Sequence, residues 1–299
     1  MRPLVLLAVL AAAPACAQSA DKPDAMPDPR QRRADSVVSR PGDVAPPAAP
    51  DSVTTTDVEV PLGEGTVTVR THTSPTTDPL GSPGFERFPL NALNLHDDES
   101  TSVEAALDVV RQRGGRVVEI VHTGERNVTF RAGGRAYTAD PNRMFTPAGR
   151  SRTLAALSAD RLPARTALAA FADRVLGAYA AVPPAVVVTL HNNTEGGYSA
   201  LSYRPGAEYA GDAAAVTVHE GADPDDFFFV TERALYDALV ARGFNAVLQD
   251  NAAATDDGSL SVWAAREGTD YVNVEAQHGH RDEQARMIAA LADVLSDRP

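Results

Sequence analysis

His96 and Glu99 stand as H-x-x-E in LHDDES, His191 closes the run VVVTLH, and Glu275 closes YVNVE. A metal ion that hydrolyses amides takes about three nitrogen or oxygen ligands and keeps one position open for water. An H-x-x-E pair with a distant histidine supplies such a set, and zinc suits two imidazoles and a carboxylate best. Glu275 adds a carboxylate that can move the proton of the attacking water. Asn142 and Arg143, in DPNRMF, add a guanidinium whose planar fork matches a carboxylate in a way that lysine cannot. The chemistry these types suit is hydrolysis of a peptide or amide bond near a free carboxylate.

The elements that must position these residues alternate between strand and helix. Residues 58–71 read as a hairpin turning at Gly63-Glu64-Gly65, and 91–95 as an apolar approach to His96. A helix is expected from Ser102 to about Arg113, ended by Gly114-Gly115. Strands follow at 117–121 and 128–131, and helices at 154–157 and 165–179. The continuous run at 185–190, AVVVTL, predicts a strand buried on both faces just before His191. A helix at 232–241, strands at 245–248 and 271–274 and a helix from about 282 to 295 complete an α/β chain with a mixed, largely parallel sheet flanked by helices. Ligands gather at the carboxyl ends of strands in such sheets, where His96, His191 and Glu275 all fall.

The chain has 299 residues, 43% hydrophobic, enough for one sizeable core. Its net charge of -13 repels phosphate backbones and speaks against nucleic acid as a partner. Residues 1–17 have the form of an export signal: Arg2, an apolar stretch from Leu4 to Ala13, and Ala15-Cys16-Ala17 as a small-residue cleavage site. A periplasmic or secreted protein is expected, with lipidation at Cys16, the single cysteine, as the alternative to cleavage. Residues 18–57, rich in Pro, Asp and Ala, read as a disordered linker, leaving 58–299 as the hydrolase domain. No later apolar run is long enough to span a bilayer.

The ordered segments LHDDESTSVEAA, GGRAYTADPNRMF, VVVTLHNN and YVNVEAQ resemble the zinc carboxypeptidase superfamily, and especially its succinylglutamate desuccinylase and aspartoacylase branch. The resemblance covers roughly residues 89–299. It implies that His96, Glu99 and His191 bind zinc and that Glu275 is the general base. It further implies that Arg135 polarises the scissile carbonyl and that Asn142 and Arg143 grip the carboxylate of a small peptide or N-acyl amino acid. Export brings a cell-wall muropeptide amidase or carboxypeptidase into view as an alternative, and a metal- and carboxylate-binding protein without turnover is a second.

Departures from the family pattern set further questions. Asp97 stands where the family has glycine, and its charge beside the metal would favour a cation and disfavour an anionic substrate. The tyrosine that classical carboxypeptidases carry falls, without gaps, on Ala264, so Tyr198, Tyr203 or Tyr271 must stand in if one is needed. Arg266 could add a substrate contact. His122, His278 and His280 are alternative ligands or groups that orient them. Asn192 and Asn193 either touch substrate or form a loop, and Asn142-Arg143 could instead be a turn, since Asp-Pro-Asn is good turn chemistry.

Overall fold

A computed structural model describes residues 53–74, 90–182 and 184–298. The expected export signal, Cys16 and all of the linker but its last five residues lie outside the described residues.

A hairpin opens the fold. β1 (Thr54–Leu62) pairs antiparallel with β2 (Gly65–Ser74) across a two-residue turn. Gly63 enters that turn at φ 64°, and a Cβ there would stand 2.0 Å from the carbonyl oxygen of Arg131, so only glycine fits. The strand starts at Thr54 rather than Val58, because cross-strand pairs such as Asp57 with Arg70 (2.8 Å) hold a segment with no apolar pattern.

β3 (Asn91–Asn94), α1 (Ser100–Arg113) and β4 (Gly115–Val121) form the first crossover unit. β5 (Val128–Ala132) and β6 (Arg135–Ala139) make a separate hairpin. α2 (Pro147–Leu157) and α3 (Leu162–Tyr179) lead into β7 (Val187–Asn193). Then come β8 (Ala213–Thr217), β9 (Phe227–Val230), α4 (Arg233–Ala241), β10 (Ala246–Gln249), α5 (Leu260–Arg266), β11 (Tyr271–Gln277) and α6 (Arg281–Ser296).

Nine strands build one mixed sheet in the order β1-β2-β4-β3-β7-β11-β9-β10-β8. The middle run β4-β3-β7-β11 is parallel throughout, whereas β2 and β9 join it antiparallel on either side. The expected α/β class holds, with its parallel part confined to the centre and to the β9–β10 pair. Each face has its own core. α1, α4 and α6 cover one through Val103, Val110, Leu235, Leu239, Met287 and Ile288. α2, α3 and α5 cover the other through Leu154, Leu168, Phe171 and Leu260. Each such side chain contributes about 1.5–3 kcal/mol on burial.

Two differences from the sequence expectation bear on the site. β7 and β11 continue beyond their apolar runs, so His191 and Glu275 lie inside strands and Asn192 and Asn193 are strand, not loop. Polar residues at these positions break the hydrophobic pattern but not the ladder, because β7 and β11 pair with each other through Asn193 and Gln277, and β9 pairs with Glu275. α2 begins at Pro147 instead of 154; Thr146 caps it by accepting from Gly149 N at 3.0 Å, a signal that the polar sequence PAGRSRT hides.

Candidate active site

Register places the reactive groups side by side. β11 runs parallel to β7 with Glu275 opposite His191, and β3, on the other side of β7, ends two residues before His96. Glu99 immediately precedes α1, whose first backbone donors would otherwise lack partners. Asn192 accepts from Ser102 N at 2.9 Å, a donor that also reaches Glu99 O at 3.2 Å, while its amide donates to Ala276 O and Gln284 Oε1. Asn192 therefore ties β7 to α1, β11 and α6.

His96, Glu99 and His191 are 1%, 1% and 3% exposed, and their ligand atoms lie within 4.8 Å of one another. His96 Nδ1 stands 2.8 Å from Glu99 Oε1, His191 Nδ1 stands 2.8 Å from Glu99 Oε2, and the two nitrogens are 3.1 Å apart. His96 Nε2 faces Asp140 Oδ1 at 2.9 Å. A carboxylate can only accept, so Asp140 keeps the proton on Nε2 and leaves Nδ1 for the cluster. Two nitrogens bound to one tetrahedral zinc at 2.0–2.1 Å would lie roughly 3.3 Å apart, close to the observed separation. The donor set fits a divalent cation by type, burial and spacing.

The charges are strongly coupled. Burial alone would disfavour protonated His96, but Glu99 and Asp140 outweigh it and hold the imidazole up at about 9. Burial likewise opposes ionised Glu99, yet both histidines pull its carboxyl well below the usual range. Glu275 moves the other way. Its burial, at 6% exposure, and the nearby Glu99 raise it above the ordinary carboxylate value, opposed by His191 and by the hydrogen bond from Asn273 Nδ2 (2.9 Å). A carboxylate so tuned suits proton transfer nearer neutrality.

A cavity of about 770 Å³ opens over this cluster, lined by Glu99, His191, Glu275, Arg126, Asn142, Arg143 and a wall of tyrosines. Arg126, which sequence reasoning passed over, reaches Glu99 Oε1 at 2.5 Å and comes within 3.8 Å of Asp140. Arg135 does not line the cavity. It is exposed at the start of β6, opposite Ala132 in the hairpin. Arg126, Arg131 and Arg135 all precede DPNR, so residue order cannot choose among them. The loop after β4 brings Arg126 to Glu99, and Asp97 holds that loop by accepting from His122 N and Gly124 N, both at 2.7 Å. Asp97 is thus turned to the loop backbone.

Asn142 and Arg143 lie in a 3-10 turn, Pro141–Arg143, which Asp140 caps by accepting from Asn142 N. The turn is present, and both residues line the cavity. Asn142 Oδ1 accepts from Leu260 N (3.1 Å) and its Nδ2 lies 3.4 Å from His191 Nε2, so Asn142 joins the turn to α5. Arg143 donates to Asn142 O and stands 3.5 Å from Asp257, with several donors left toward the cavity.

The remaining candidates separate cleanly. Tyr198, Tyr203 and Tyr271 all line the cavity; Tyr198 and Tyr203 share a 2.5 Å hydroxyl contact, and Tyr271 reaches Thr189 Oγ1 at 2.6 Å. Ala264 is buried in α5, in the core. Arg266 pairs with Asp256 at 2.5 Å, away from the cavity lining. His278 lines the cavity, whereas His280 pairs with Asp226 (3.0 Å) and His122 with Thr123. Asn193 donates to Asp225 O (2.6 Å) and lies 3.4 Å from Glu275 Oε2, beside the reactive carboxylate. Among the described residues no helix is long and apolar enough to cross a membrane.

No protein-family model matches the chain, and no curated protein matches it in sequence. Solved structures give remote likenesses. Murein-tripeptide amidase MpaA from Escherichia coli O157 is 16% identical, with 85% of this chain covering 97% of that one at a TM-score of 0.40. The tripeptide-bound cell shape determinant Csd4 from Helicobacter pylori is 14% identical, with 77% of this chain covering 56% of Csd4 at 0.43. Thrombin activatable fibrinolysis inhibitor is 11% identical, with coverage of 84% and 71% at 0.44. The chain thus spans little more than half the length of Csd4. Likenesses this loose carry no argument about branch, activity or substrate, which rests on the cluster and its cavity.

Proposed function

We propose that this chain is a zinc-dependent hydrolase that cleaves a peptide or amide bond beside a free carboxylate, and that it acts outside the cytoplasm. The observation that carries the reading is the convergence of His96, Glu99 and His191 beneath a cavity that also holds Glu275. His96 Nδ1, His191 Nδ1 and a Glu99 oxygen would hold the ion. When bound, zinc supplies a Lewis acid for the scissile carbonyl and for the attacking water.

The chain's own residues do the rest. Glu275 accepts the proton from the attacking water and passes it to the leaving amine, a transfer favoured by its raised proton affinity. Asn273 and Asn193 hold its two oxygens and fix its direction. Arg126 takes the role first expected of Arg135, offering a guanidinium where negative charge develops on the carbonyl oxygen. Arg143 receives the free carboxylate, and Asn142 braces the turn that carries it.

The test is elemental analysis of the purified protein beside hydrolysis of short acylated peptides with free carboxylates. About one zinc per chain is expected, with Glu275→Gln keeping the metal and losing turnover. A protein that takes up no zinc, or a Glu275→Gln variant that remains fully active, overturns the reading.

A further inference from the structure

On one face of the β7–β11 pair the residues stand in register: His191 beside Glu275 and, one step back along both strands, Thr189 beside Asn273, with Tyr271 a further step back on β11. Thr189 interrupts the apolar run that leads to His191, and Asn273 the one that leads to Glu275. Thr189 is 0% exposed, Tyr271 2%, Asn273 5% and Glu275 6%. Polar groups so enclosed cost stability unless they bond one another.

These four bond in a single chain. The hydroxyls of Tyr271 and Thr189 are 2.6 Å apart, Thr189 Oγ1 donates to Asn273 Oδ1 at 3.2 Å, and Asn273 Nδ2 donates to Glu275 Oε1 at 2.9 Å. The place of every proton follows from the carboxylate. Ionised Glu275 only accepts, so Asn273 must offer it the NH2 group, which turns Oδ1 to Thr189. Thr189 gives its one proton to that oxygen and can then only accept from Tyr271. The chain thus runs one way, from Tyr271 to Glu275, with each bond polarising the next. An Asn273 amide turned over would set its oxygen against the carboxylate. The two ends of an amide are nearly alike in size, so its hydrogen bonds and not its packing decide the orientation. The Thr189 hydroxyl is the group that decides it here.

We infer that Thr189 is a positioning residue, which through Asn273 holds the Glu275 carboxylate in the direction from which it takes up a proton. Tyr271 completes the chain and spends its hydroxyl proton there rather than on substrate. The inference rests on the hydrolase reading for the task of Glu275, whereas the chain itself can be measured without turnover.

With a short acylated peptide and zinc-loaded protein, Thr189→Val is expected to lower kcat about tenfold and to leave KM within about twofold. Thr189→Ser, which keeps the hydroxyl, recovers most of the loss. In an Asn273→Ala protein the valine substitution should cost less than about twofold more, because Thr189 acts only through Asn273. Hydrogen exchange at the Asn273 side-chain amide, followed by NMR, is expected to speed up about tenfold in the valine variant and to stay near the parent rate in the serine variant. Exchange unchanged by Thr189→Val, an equal loss of kcat with and without Asn273, or a serine variant as impaired as the valine one overturns the inference. Faster exchange in the valine variant with no hydrolysis by the wild-type protein overturns the hydrolase reading alone.

Discussion

Two clusters among the described residues bring three metal-capable side chains within 4.8 Å, yet they are built differently. In the first, His96, Glu99 and His191 are buried, both Nδ1 atoms face the same carboxylate, and Asp140 orients one imidazole from behind. In the second, Asp226 accepts from Gln277 N and from His280, Asp223 accepts from Asp225 N, and Arg281 and Arg286 line the same cavity of about 620 Å³. The carboxylates of the second set already accept from backbone N–H groups, whereas among the described residues the Glu99 side chain accepts from the two imidazoles and Arg126. Proximity of ligand types is thus insufficient; a metal centre also needs lone pairs left over once the local hydrogen bonds are made.

The sharpest way to break this contrast is to remove a histidine from each cluster. His191→Ala is expected to lose the bound zinc and essentially all turnover, whereas His280→Ala keeps both; elemental analysis beside a peptide assay decides. Zinc lost from the His280 variant and retained by the other would exchange the roles of the clusters. Next in size is the arginine. Arg126→Ala should lower kcat by about 10²–10³, the loss typical of an oxyanion donor, with zinc retained. Arg135→Ala should stay within about twofold in the same steady-state assay, as its exposed place on β6 predicts.

The brace behind His96 has no counterpart in the second cluster, so Asp140→Ala tests whether that difference matters. It is expected to weaken zinc affinity by about 10–100-fold, read by competition with a chelator. Asp97→Ala should lower kcat by about tenfold by loosening the loop that carries Arg126, while Asp97→Asn, which keeps an acceptor for the two backbone amides, recovers most of it. Amide exchange at His122 and Gly124 should speed up in the alanine variant alone.

The smallest effect concerns stability. Folding raises the proton affinity of Glu275, so the native metal-free state holds more protons than the unfolded one between the ordinary glutamate value of 4.5 and the higher native value. Stability therefore falls as pH rises through that window. Glu275→Gln removes the penalty, so metal-free variant and parent should melt alike at low pH and the variant higher at neutral pH. Equal melting temperatures at pH 7 would show that Glu275 costs the fold nothing.

Much of this arrangement is legible in the chain alone. AVVVTL must be buried on both sides, Gly114-Gly115 must end a helix, and H-x-x-E with a distant histidine supplies the donor types of the His96, Glu99 and His191 cluster, because these follow from side-chain type and local spacing. Asp140 was open to the same reasoning, since it sits in DPNRMF beside the residues singled out, and a ligating imidazole needs an acceptor behind it. Other features had no local signal. β7 and β11 run on through His191 and Glu275 because they pair with each other there and β9 flanks Glu275, a property of the sheet and not of the segment. Arg126 rather than Arg135 meets Glu99 because Asp97, in a different segment, folds the loop after β4. Gln249, on β10, joins the cavity lining through three intervening strand pairings. Residue types determined which chemistry was available; the register of the sheet decided which side chains could share it, since contacts between distant segments are set by pairing and packing that no short stretch of sequence encodes.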